Sequence, residues 1–176
     1  MRIGIILGAA KEPMQLRLED ALKRDFDKLI ISGRGYNPQS LDRNYIADEL
    51  HCLDEKLKDA EYLEAFSTFG SYVTVCDEYP HEELTFIGHE SHTQRMRVYQ
   101  QYFSDRDIEN VVLPDPNLKS VYRAFDRFSA AVHCLGLKLF PKKMKEQARS
   151  RKSFLNKYII PIKNVIMNEV SHQVGH

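Results

Sequence analysis

A chain of 176 residues, 43% of them apolar and 28% charged, is long enough for one folded domain with a substantial core. A formal net charge of +0 excludes a global field that would draw the whole molecule to nucleic acid or anionic lipid. Cys52, Cys76 and Cys134 are odd in number and form no CxxC pair, which argues against a disulfide framework or zinc ribbon.

Ile3-Gly4-Ile5-Ile6-Leu7 is a continuous apolar run ending at Gly8-Ala9-Ala10, as a parallel strand covered on both faces requires. A helical stretch follows, with Leu16, Leu18, Ala21 and Leu22 among charges. Lys28 to Ser32 is a second apolar strand, broken by Gly33-Arg34-Gly35, and Ser40 after the Asn37-Pro38 turn is an N-cap candidate. The longest helix signal runs from about Leu41 to Phe66, where Ile46, Leu50, Leu53, Leu57, Ala60, Leu63 and Phe66 recur at steps of three and four. Ser71 to Glu78 suits a short helix, although Val73 and Val75 also alternate. Leu84 to Gly88 is a third strand, His89 to His92 its exit loop, and Gln94 to Phe103 the next helix. Val111 to Leu113 is a fourth strand. From Ser120 to Leu135 a helix carries Val121, Phe125, Phe128, Ala131, Val132 and Leu135 on one side, and Gly136 is expected to stop it.

Strands alternating with helices, over connections too long for hairpins, imply βαβ crossovers. The expected fold class is therefore α/β, a Rossmann-like and mainly parallel sheet with helices on both faces. The reading places this domain at residues 1–137 and a basic helical extension at 138–176, packing on the domain or on a partner. Local charge is uneven: eleven carboxylates face two lysines between Asp48 and Glu83, whereas Lys142 to Lys152 holds six basic residues against Glu146. No stretch approaches the roughly 20 apolar residues of a membrane span, and the short run after Arg2 is too brief for a signal peptide. A soluble, cytoplasmic protein is expected.

In open parallel sheets, ligands bind beyond the carboxyl ends of the strands, near a topological switch point. That rule selects Gly8, Ser32, Gly33, Gly35 and the segment from His89 to Arg95. There is no GxGxxG, no GxxxxGK[ST] and no GxSxG, so dinucleotide, P-loop and serine-hydrolase fingerprints are unsupported. His89-Glu90-Ser91-His92 is one residue short of HExxH. A metal-dependent hydrolase using His89 and His92, completed by Asp77, Glu78 or His81, is a minor alternative, and no metal is predicted.

The order of these pieces resembles the YdcF/SanA/ElyC-like family of bacterial domains, whose function is largely unknown. The resemblance spans about Ile3 to Gly136. It rests on Gly8 followed by Arg17, on Ser32-Gly33, on Ser71, Thr74 and Asp77 at three-residue steps, and on His92-x-x-Arg95. Val73, Asp77, Gly70 and Gly88-His89 depart from the family pattern. The membrane anchor of SanA-like and ElyC-like members is missing, so the chain is more similar to the soluble YdcF-like branch. The resemblance implies a Rossmann-like fold and binding of S-adenosylmethionine or another nucleotide-like or phosphorylated small ligand, with transferase or hydrolase activity left open.

The matched residues have chemistry suited to such a site. Arg17 and Arg95 can grip a phosphate or carboxylate in bidentate fashion. His92 titrates near neutrality and is the acid–base candidate, with Asp77 to orient it. Ser32, Ser71 and Thr74 can bond ligand hydroxyls, while Gly8 and Gly33 let the backbone approach. A competing reading is a non-catalytic binding or assembly module. There the basic run from Lys142 to Lys152 engages a partner, an anionic membrane surface among the candidates, or forms a homo-oligomer through the C-terminal extension. Nucleic acid is not expected, because no aromatic residues interleave the basic run.

Overall fold

The computed structural model describes residues 1–8, 11–33, 57, 59–115 and 118–150. Five strands form one all-parallel sheet in the order β3-β2-β1-β4-β5. They are β1 (Arg2–Leu7), β2 (Lys28–Ser32), β3 (Glu61–Leu63), β4 (Glu83–His89) and β5 (Ile108–Leu113). The helices are α1 (Lys11–Leu22), α2 (Thr68–Glu78), α3 (Thr93–Tyr102), α4 (Ser120–Leu139) and α5 (Pro141–Ala148), with a single 3-10 turn at Glu90–His92 before α3. This is the Rossmann-like α/β architecture.

Two apolar layers sandwich the sheet, which is why its strands read as unbroken apolar runs. Ile3, Ile5 and Leu7 of β1 join Leu84 and Phe86 of β4 beneath α2 and α3, where Phe69, Tyr72, Val73, Met96 and Tyr99 are buried. On the other face Ile6, Ile31 and Ile87 meet Met14, Leu18 and Ala21 of α1. Tyr72 stacks on Phe86 with ring centroids 3.7 Å apart. Gly88 allows α3 to approach β4, since a Cβ there would lie 2.6 Å from the Met96 sulfur.

Two expectations need correction. The helix extended to Phe66 gives way to β3 at Glu61–Leu63, an edge strand in register with β2 (Ile30↔Glu61, Ser32↔Leu63). Three residues are too few to show a period of two, and the helical spacing of Ala60 and Leu63 masked them. Glu61 is held by an ion pair with Lys28 and a 2.9 Å bond from Tyr79 Oη. The rest of that helix, residues 41–56 and 58, lies outside the described residues, as do Ala9, Ala10, Arg34 and Gly35. Gly136, the expected stop, sits inside α4, which runs on to Leu139. There the missing side chain makes room for Met144 of α5, whose sulfur would lie 2.9 Å from a Cβ. The boundary drawn at residue 137 therefore falls within one helix. Gly70 likewise admits the backbone of Ala148, so α5 seats against both α2 and α4. Among the described residues no helix is long and apolar enough to cross a membrane.

Candidate functional site

The strand order reverses direction at β1: the chain builds outward through β2 to β3, then returns to lay β4 on the other side of β1. The carboxyl ends of β1 and β4 are thus a topological switch point, with a helix leaving each strand on opposite faces of the sheet. His89, the last residue of β4, has the same parity as Thr85 and Ile87 and points to the α1 side. Arg17, 72 residues earlier in the sequence but adjacent in space, projects from α1 to meet it.

Arg17 Nε donates to His89 Nδ1 at 2.7 Å, and Nη1 donates to the carbonyls of Leu7 and Gly8. Arg17 is 1% exposed and His89 2% exposed, so both are sealed from water. Burial first, and the Arg17 charge second, push the His89 pKa down to about 4, with Asp115 after β5 pulling weakly the other way. The ring is neutral at physiological pH. Its Nδ1 accepts, which places the proton on Nε2. That buried Nε2 meets no hydrogen-bond partner among the described residues. A buried donor left unpaired costs on the order of 1–3 kcal/mol, the kind of orphan found where a ligand or water completes the set.

Ser32 and Ser71 form a second cluster. Ser32 ends β2 with the parity of Ile30 and so faces α2, where its Oγ donates to Ser71 Oγ at 2.7 Å. Ser71 is positioned because Ser67 caps α2, accepting from Gly70 N at 3.0 Å. Gly8 N donates to the Ser32 carbonyl, and Gly33 N to the Leu63 carbonyl, at 2.6 and 3.0 Å. These bonds tie the carboxyl ends of β1, β2 and β3 together.

A third cluster lies between α3 and α4. Arg95 Nε donates to Asp126 Oδ1 at 2.7 Å, and Arg95 Nη2 to the Ser91 carbonyl at 3.0 Å. The other Asp126 oxygen accepts from Gln94 N at 2.7 Å, capping α3. One helical turn further on, Tyr99 Oη and His133 Nδ1 are 2.6 Å apart. Burial lowers the His133 pKa to about 4 and raises that of Tyr99, so the hydroxyl donates to a neutral ring. Beside this seam, Glu90, Thr93, Gln94, Arg123, Asp126 and Arg127 line a cleft of about 260 Å³.

The expected residues therefore share the carboxyl edge of the sheet but not one face. Gly8, Arg17, Ser32, Gly33, Ser71 and Arg95 all lie at that edge, in three hydrogen-bonded clusters of which the first two are joined through the Gly8 backbone. His92 closes the 3-10 turn just before α3 and is half-buried. Thr74 and Asp77 are carried away from the edge, because α2 starts at Thr68 and rises about 1.5 Å per residue. Asp77 ion-pairs with Arg149 rather than approaching His92. His89 and Asp126 are the residues the matched pattern passed over. Asp126 had a signal: it is the single carboxylate between Lys119 and Lys145. Among the described residues no three His, Cys, Asp or Glu side chains gather as a metal site. Burial pushes the Cys76 thiol up to about 12, which leaves it protonated and inert. No family model and no curated protein matches the chain.

Proposed function

We propose that this Rossmann-like domain binds a nucleotide-like or phosphorylated small ligand at the carboxyl edge of its sheet, in the crevice between β1 and β4. The observation that carries the reading is the switch point itself, braced by Arg17 and flanked by the buried Nε2 of His89, which has no partner among the described residues. Gly8 and Gly33 carry no side chain at the strand ends, which suits close approach by a phosphate or ribose, although their own amides are engaged by the Ser32 and Leu63 carbonyls. The YdcF-like resemblance points to the same edge and names S-adenosylmethionine as the first compound to try.

In this reading Arg17 is a positioning residue. It holds both strand ends and the His89 tautomer, and is too deeply buried to serve as a mobile anion clamp. Arg95 acts likewise, through Asp126. Contacts to ligand fall to the backbone around Gly8 and Gly33 and to the 3-10 turn with His92, while His89, as deeply buried as Arg17, shapes the strand end behind them. An acid–base role for His92 would give transferase or hydrolase chemistry; without it the site is a binding site only.

The test is a panel of S-adenosylmethionine, nucleoside mono-, di- and triphosphates and sugar phosphates, titrated against labelled protein by amide chemical-shift mapping. Saturable shifts at Gly8, Gly33 and Ser91 support the crevice. Silence across the panel, or shifts confined to the opposite edge around Asp27 and Asp59, rejects it.

A further inference from the structure

Helix α4 is amphipathic, yet it is mounted with its apolar side away from the sheet. The face it turns inward carries Asp126, Ser129, Ala130, His133 and Leu137, locked by the bonds to Arg95, Gln94 and Tyr99. The opposite side carries Phe128 at 60% exposure, Leu135 and Leu139 at 59%, and Phe140 at 61%. Phe128, Leu135 and Leu139 follow one another at steps of seven and four, a stripe about 16 Å long at 1.5 Å per residue. Single exposed apolar residues are ordinary, but three large ones along one helical stripe, with exposed Phe140 following at its end, mark an interaction face.

Charge decides what fits it. Arg127 and Lys138 stand next to Phe128 and Leu139, and Lys142 and Lys143 follow Phe140; all four cations are exposed. Lys119 extends the same sign toward the start of α4, where Arg123 is paired with Glu90. Between Lys119 and Lys145 the single carboxylate is Asp126, which is buried and already paired. A second copy meeting this face symmetrically would set the same cations against each other. Residues 151–176 carry Arg151, Lys152, Lys157 and Lys163 against Glu169 alone, so they add to the positive charge rather than offset it. An apolar stripe rimmed by cations matches an anionic bilayer surface, where the rings and Leu side chains enter the headgroup boundary and the cations meet lipid phosphates.

We propose that the outward face of α4 and the start of α5 docks this protein peripherally on an anionic lipid bilayer. The proposal is independent of the ligand reading at the sheet edge, because none of its apolar residues lines that crevice.

The test is cosedimentation of the full chain with vesicles of phosphatidylcholine alone and of phosphatidylcholine with 30% phosphatidylglycerol. Wild-type protein is expected to pellet with the anionic vesicles and not with the neutral ones, and to be released as salt is raised. The K138Q/K142Q/K143Q variant, altered only at exposed positions, should partition roughly a hundredfold more weakly. F128S/L135S should lose binding while keeping its circular dichroism spectrum and melting temperature. The proposal is overturned if wild-type protein ignores anionic vesicles, or if both variants bind as it does, which would assign binding to residues 151–176. A dimer dispersed by F128S/L135S, or capture of nucleic acid or an acidic peptide, without vesicle binding would also overturn it.

Discussion

Arg17 is among the largest fully buried side chains described, and its hydrogen bonds to His89 and to the Leu7 and Gly8 carbonyls help to explain how a charge survives there. Replacing it with Met keeps volume but leaves two strand-end carbonyls and His89 Nδ1 unsatisfied. The expected loss is about 3 kcal/mol, read from the urea midpoint of Arg17→Met; a loss under about 1 kcal/mol would mean that the brace is not made. The imidazoles give a second check. His89 and His133 both titrate near 4 in the folded chain, below their ordinary value of 6.5. Their contribution is therefore complete above pH 6.5 and is lost as pH falls toward 4, because the unfolded chain takes up protons that the folded chain refuses. Each ring can contribute a slope of about 1.4 kcal/mol per pH unit within that window. His89→Gln and His133→Gln should each flatten the profile of stability between pH 7 and 5, and a wild-type profile already flat there would contradict both assignments.

At the scale of elements, α4 shows what a period can and cannot say. The recurrence of Val121, Phe125, Phe128, Val132 and Leu135 identifies the helix and its apolar side, and the helix is there. Which side meets the sheet is decided by partners more than twenty residues away in the chain: Arg95 for Asp126 and Tyr99 for His133. No spacing rule carries that information, so the inward face was not legible. The pair has a measurable consequence. Asp126→Ala strands a mostly buried guanidinium and uncaps α3, and should cost about 3–5 kcal/mol in chemical denaturation. The double variant Arg95→Ala/Asp126→Ala should lose clearly less than the sum of the two single losses, since the stranded charge is gone. Simple additivity would show that the two side chains do not interact. By contrast β1, β2 and β4 were legible outright, because a strand covered on both faces must be apolar without alternation.

For the whole molecule, parallel order followed from connections too long for hairpins, and the edge that gathers Gly8, Ser32, Gly33 and His89 followed from parallel order. What one dimension could not supply was the side of the sheet each residue faces. Arg17 and His89 lie on the α1 side, Ser32 and Ser71 on the α2 side, so a ligand touching both must straddle the carboxyl edge. That geometry makes a specific claim about linkage. A ligand at a hundredfold excess over its Kd adds about 2.7 kcal/mol to stability, which for a domain of this size raises the melting temperature by roughly 5–10 °C. If one ligand spans the edge, His89→Gln and Ser32→Ala should each shrink that rise relative to their own unliganded melting temperatures, although the two side chains share no contact. If only His89→Gln does so, the ligand sits on the α1 side and the Ser32–Ser71 pair merely fastens α2 to β2. A rise unaffected by either change would move the site away from the switch point altogether.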